Sequence, residues 1–310
     1  MRIETLRSGL IESTHEVSVV AVDGEGRVVG TWGEPDFPFF YRSAIKPFQA
    51  TISREAGADL PAEQLAITCS SHGGYPLHLA LVEANLSQAG LTSDALQCPP
   101  AWPRDPSAKE LQVARGHLRP TRLFHNCSGK HSGWLAASAA QGWPIGTYLD
   151  PSHPIQQRVV ALVKEVTGVD PETLGVDGCG APTLRGNLTG LARSFGRLST
   201  ELRFVDVASA MSRFPAIISS NTLNEGRFAA WWGGPVKGGA QGLIAAGRNG
   251  FGIAAKSHEG DVDIAIVGML EALRQVGLLS QTAQEALIDV ARIPVLGGGR
   301  QVGTVEPIEA

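Results

Sequence analysis

The stretch Glu16–Trp32, EVSVVAVDGEGRVVGTW, carries β-branched residues at alternating positions on both sides of Asp23-Gly24-Glu25-Gly26. Alternation of that kind marks strands, and the glycine-bearing turn between them predicts that the chain opens with a β-hairpin. Near the other end, residues 238–260, GGAQGLIAAGRNGFGIAAKSHEG, place short apolar runs around Arg248-Asn249-Gly250 and predict a second hairpin. The residues between the two hairpins read differently. YRSAIKPFQATISREAG sets Ile45, Phe48, Ile52 and Ala56 on one helical face and stops at Gly57. Pro47 is tolerated only in a first turn, so this helix should start near Ser43.

PLHLALVEANLSQAG, PSAKELQVARG, HSGWLAASAAQ, HPIQQRVVALVKEVTG and VDVASAMSRF repeat apolar residues at three- and four-residue intervals up to about residue 215. Helices are also expected at about Asp261–Val276 and Thr282–Arg292, before a glycine-rich tail that adds an edge strand. Strands at both ends of a helical middle predict an α/β (α+β) fold whose termini meet in one sheet. The expected organisation is a single domain over 1–310 with two lobes, a sheet lobe of 1–42 plus 236–310 and a mainly helical lobe of 43–235. A cleft between the lobes would be the natural site.

Composition narrows the function. With 310 residues, 43% hydrophobic and 18% charged, the chain can bury a large core, and a net charge of −4 without a basic run argues against nucleic acid as a partner. MRIETLRSGLIESTHE lacks the apolar centre of a signal peptide, and no apolar run reaches the ~20 residues of a membrane helix, so a cytoplasmic protein is expected. Cys69, Cys98, Cys127 and Cys179 are too few and too scattered for a disulfide framework.

Several stretches carry groups fit for chemistry. Ser43 and Lys46 form S-x-x-K, three apart on a helix, so an amine can reach a hydroxyl and act as its base if unprotonated. The same pair also fits a capped helix with a solvated lysine. In ITCSSHGG, Ile67–Gly74, an apolar run reads as a strand that delivers Ser71 and His72 to a turn. HNCSGKHSG, His125–Gly133, is no phosphate loop, because His131 follows Gly129-Lys130 and Phe124 stands where the upstream glycine is needed. It reads locally as a polar turn before a helix beginning near His131, while Cys127 and His131 leave a Cys-His pair open. VDGCGAP offers a second glycine-bounded thiol, Cys179, beside Asp177; two cysteines from distant loops could hold zinc, although isolated buried cysteines are more often inert small hydrophobes. Lys256 ends an apolar strand, where it is either an edge charge or a second amine for the site.

Together YRSAIKPFQA, the SSH of ITCSSHGG, CSGKHSG, the HPIQ at His153, DGCGAPT, VKGGAQG and GIAAKSHEGD, in that order, resemble the asparaginase II family, the Rhizobium-type (class 3) L-asparaginases. The resemblance implies a serine β-lactamase/glutaminase-like fold and an amidohydrolase that makes aspartate and ammonia from asparagine. It implies Ser43 as nucleophile and Lys46 as base, with Ser71 and Lys256 as a second serine-lysine tandem. Cys127, Lys130 and Cys179 would bind Zn2+, with Arg42, His72, Asp177 and Gly239 lining the substrate site. A small amide substrate and a homodimer are further expectations. The chain departs from the family's pattern at Gly73-Gly74-Tyr75, where relatives carry Ser-Gly-Glu, at Gln241, which replaces an acid, and at Glu259-Gly260-Asp261 followed by Asp263. Two acids expected near the substrate's α-amino group are therefore missing, which leaves another amide or a lactam as the alternative substrate. A zinc-stabilised binding protein is the alternative outside catalysis.

Overall fold

The computed structural model describes residues 1–170 and 174–308. They pack as two compact units, one of Met1–Ala44, Gly186–Glu201 and the chain from Asn221 onward, the other of Ile45–Arg185 and Leu202–Ser220. Leu188–Leu198 and Asn224–Trp232, which the expected division at residues 43 and 235 gave to the helices, belong to the sheet unit because they pack on its strands.

The sheet unit is antiparallel, with strands in the order Ile293–Gly297, Arg300–Pro307, Arg2–Arg7, Leu10–Val22, Phe251–Ser257, Leu243–Arg248 and Val236–Gly239; Val28–Trp32 pairs separately with Leu10–Val22. Ile3 stands opposite Pro307 on one side and His15 on the other, so the termini do meet in one sheet. The opening hairpin joins Leu10–Val22 to Val28–Trp32, with Val22 opposite Val28. The second hairpin turns at Asn249 (φ 52°) and Gly250 (φ 86°), the left-handed pair of a two-residue loop. The tail supplies two strands rather than one.

Both faces of the central strands are covered. Val17, Val19, Ala21, Ile253, Ala255, Ile244 and Ala246 share a core with Phe228 and Trp232 and with Ile264, Val267 and Leu270 of the Val262–Gln275 helix. The Leu188–Leu198 helix packs on the same strands, and it approaches so closely that a Cβ on Gly252 would lie 2.0 Å from Ala192 O and one on Gly247 2.0 Å from Phe195 O.

In the helical unit the Ser128–Gln141 helix is central, buried from Ser128 to Ser138 and packed on Lys46–Glu55, Ala62–Cys69 and Pro76–Gln88. A Cβ on Gly129 would stand 2.1 Å from Ile67 O, and one on Gly133 2.8 Å from Thr68 Cγ2, so the two glycines of GKHSG seat this helix against Ala62–Cys69. Three expectations need correction. The apolar run of ITCSSHGG is the end of a helix, not a strand, since a short apolar run does not distinguish the two and Thr68 and Ser70 fold back onto Leu65 O and Ile67 O. CSGKHSG is the first helical turn from Ser128, not a turn ahead of His131. Thr282–Arg292 is two short helices, Gln281–Ala286 and Ile288–Ala291, broken at Leu287.

Because the helix-to-sheet approach excludes a methyl group at Gly252, Gly252→Ala should cost about 1–3 kcal/mol of stability, read as a fall in the urea midpoint. An unchanged midpoint would mean that this contact is not made.

Candidate active site

In the sheet unit, Ser43 lies in a short 3-10 turn, Arg42–Ile45, that runs directly into the Lys46–Glu55 helix. Arg42 holds φ 48°, a left-handed conformation that costs a non-glycine residue about 1–3 kcal/mol and persists where the surroundings fix it. Ala44 N–H closes the turn on Tyr41 O at 3.0 Å, and the Tyr41 hydroxyl donates to Asn187 O and accepts from Asn187 N–H, each at 3.2 Å. Gly239 lies against the same backbone, its absent Cβ 3.1 Å from Tyr41 O and 3.4 Å from Ala44 N.

Also in this unit, Lys256 stands opposite Ser18 in the strand pairing. It borders a cavity of about 70 Å³ that is also lined by Ser18, Phe37, Phe39 and His258. His258 Nε2 and Ser18 Oγ are 2.9 Å apart. Burial lowers the Lys256 amine from the ordinary lysine range, against the opposing pull of Glu259.

The helical unit holds the remaining expected residues. Lys46 is fully buried at the first position of its helix, where its Nζ donates to Ser70 O and, at 3.0 Å, to Ser71 Oγ. That Lys46–Ser71 bond was not legible in the sequence, which separates the two by a helix and a loop. Ser71 is held in turn by its N–H on Ile218 O at 3.1 Å and by Arg104 on its carbonyl at 3.4 Å. His72 Nε2 lies 2.9 Å from Ser128 Oγ, and Ser128 gives its own proton to Leu123 O, so Nε2 must be the protonated nitrogen. His72 Nδ1 is then a buried acceptor without a partner among the described residues. Burial pushes the His72 pKa well down, and His78 and Lys46 act in the same direction.

Cys127, Lys130 and Cys179 converge, all of them buried. Lys130 Nζ donates to Cys179 Sγ at 3.1 Å and sits 4.6 Å from the centre of the Trp134 ring. A hydrogen bond from Cys179 is the main cause that lowers the Cys127 thiol well below its usual range, while the same bond and burial raise Cys179. For Lys130, burial opposes the charge but is outweighed by Cys179 and Cys127, so its pKa is raised. Asp177 Oδ2 is 3.8 Å from Cys179 Sγ. The three expected residues thus lie together; two thiols are donors that zinc takes, and the amine could join them only after losing the proton that Cys179 and Cys127 favour on it. Among the described residues no group of three or more His, Cys, Asp or Glu could hold a metal.

Sequence reasoning missed Asp105. Its N–H donates to Gly73 O at 3.2 Å, its carboxylate caps a helix through Ser107 N–H, and it accepts from Ser220 Oγ at 2.9 Å. The Tyr75 hydroxyl bonds to the same carboxylate. A buried acid therefore stands beside Gly73-Gly74-Tyr75, and nothing in the spacing of residues 73 and 105 announces it. A larger depression of about 490 Å³, lined by Gly57, Leu60, Asn85 and Ala136 among others, contains none of the expected residues.

A family model described as L-asparaginase II matches residues 3–307, and the chain belongs to that family. At the level of the family it is an amidohydrolase of the L-asparaginase type with a small-molecule amide as substrate. No curated protein sequence matches the chain. Among the described residues no helix is long and apolar enough to cross a membrane.

The buried neutral His72 makes stability depend on pH. Its folded pKa lies below the unfolded value of ~6.5, so the unfolded chain binds the extra proton and stability falls as pH drops below about 6.5, by at most ~1.4 kcal/mol per pH unit for this group. Denaturant unfolding between about pH 8 and about pH 5 should show a weaker pH dependence in His72→Gln than in the wild type. Equal slopes would remove His72 from the acid response.

Proposed function

We propose that the chain hydrolyses the side-chain amide of L-asparagine to aspartate and ammonia through an acyl-enzyme on Ser43, with Lys46 as general base. The observation that supports this best is the environment of Lys46. It is fully buried and directed onto Ser70 O and Ser71 Oγ, and no carboxylate pairs with it among the described residues. A base has to give up its proton, and a carboxylate partner would hold that proton in place. Ser43 precedes Lys46 by three residues, the spacing that in a helix sets two side chains on one face.

In this reading Ser43 Oγ attacks the carboxamide carbon and its proton passes to Lys46. The C–N bond then breaks, ammonia leaves with that proton, and a water deprotonated by the same lysine releases the acid. Ser71, hydrogen-bonded to Lys46, relays the proton, and Lys256 supplies the second amine of the tandem. Arg42, His72, Asp177 and Gly239 line the substrate site. Cys127, Lys130 and Cys179 would hold zinc, which when bound would shape the substrate pocket. Lys130 and the thiols must lose protons to ligate, so metal uptake releases protons. A second reading, the same serine-lysine chemistry on another amide, is favoured by Tyr75 and Gln241, at positions where the resemblance implies acids.

Ammonia release from a panel of asparagine, glutamine and simple amides should be strongest with asparagine and should vanish in Ser43→Ala. Release from another amide but not asparagine supports the second reading, and no release from any amide by a zinc-loaded wild type would leave a binding protein. Cys179→Ala should lose most of the zinc found by elemental analysis, and unchanged stoichiometry would sink the metal assignment.

A further inference from the structure

The reaction above makes no use of a buried ion pair in the sheet unit. Glu225 and Lys237 are 3% and 0% exposed, with Lys237 Nζ 3.3 Å from Glu225 Oε1. Replacing a buried pair with apolar residues is often neutral or stabilising, so its presence asks for a reason other than stability. The geometry supplies one. Glu225 Oε1 accepts the Gly238 N–H at 2.8 Å, and Lys237 Nζ donates to Gly238 O at 2.7 Å, so the pair grips both ends of one residue in the edge strand Val236–Gly239. A side chain at Gly238 would meet the Glu225 carboxyl carbon at 2.8 Å, which is why the carboxylate can lie flat on this backbone. The next residue, Gly239, lies against Tyr41 O and Ala44 N, on either side of Ser43. The turn it touches already carries the strained Arg42.

We propose that the buried Glu225–Lys237 pair positions the nucleophile: it fixes the Val236–Gly239 strand so that Gly239 braces the Tyr41–Ala44 backbone and holds Ser43 in its attacking orientation. This rests on Ser43 being the nucleophile. Both residues are buried and act through Gly238 and Gly239. Glu225 sits in the first turn of the Asn224–Trp232 helix, where a negative charge is favoured, so the clamp is anchored to an element that is itself packed on the sheet.

The test is kinetic and structural, on the full chain. Glu225→Gln should lower kcat by about 10²-fold, the scale of a roughly 1 Å misplacement, while KM stays within about twofold, because uniform binding is untouched. The double variant Glu225→Met/Lys237→Met removes both charges together and should remain folded with the same loss of kcat, which keeps the test open if the single variant does not fold. Hydrogen exchange read by mass spectrometry should quicken at Tyr41–Ala44 in both variants and stay unchanged at Arg2–Arg7. Wild-type kcat in the folded double variant, or a loss of kcat without faster exchange at Tyr41–Ala44, would overturn the proposal. If Ser43→Ala keeps wild-type turnover, the nucleophile assignment fails by itself, and the exchange data alone then decide whether the pair holds the turn.

Discussion

A lysine amine buried at the first position of a helix is the constraint on which the rest depends. Lys46 stands at the positive end of the Lys46–Glu55 helix dipole with no side-chain cap and no exposed surface, an expensive place for a polar amine unless oxygen acceptors face it. Ser70 O and Ser71 Oγ are those acceptors, and they exist there because the Ala62–Cys69 helix ends at Ser70 in extended conformation. That helix end is fixed in turn by Gly129 and Gly133, whose missing side chains let the Ser128–Gln141 helix rest on Ile67 and Thr68. The same helix carries Ser128, which sets the His72 tautomer, and Lys130, which meets Cys179. One packing contact between two helices therefore locates three of the motifs at once.

The sheet unit obeys the same rule of close approach. Glycines at 247 and 252 admit the Leu188–Leu198 helix, and Gly239 admits the backbone of the Ser43 turn. Gly247 and Gly252 are not interchangeable with alanine, because backbone oxygens and not flexible side-chain ends occupy the space of the missing Cβ. Rigid supports of this kind are what a nucleophile needs, since its geometry has to be held before substrate arrives.

Much of the fold was legible because it rests on local chemistry. The Asn249-Gly250 loop, the alternation of Val17, Val19 and Ala21, and the Asp261 cap of the Val262–Gln275 helix each announce their element in a few residues. ITCSSHGG misled because an apolar run of that length has no period of its own, and CSGKHSG misled because its polar residues look solvated although they are buried. The candidate residues were legible in type but not in partnership. Asp105 reaches Gly73 across thirty-two positions, the Glu225–Lys237 pair spans a helix and a strand, and Lys46 meets Ser71 only after two helices pack. Such pairings follow from tertiary packing, which no local pattern encodes.

The central claim is that Ser43 carries the acyl group while Lys46 manages its proton. Acid quenching during turnover of asparagine, followed by peptide mass mapping, tests this directly by locating the aspartyl ester. The adduct should fall on the peptide that contains Ser43 and should disappear in Ser43→Ala. An adduct on the peptide that contains Ser71 would contradict it and make the serine already bonded to Lys46 the nucleophile.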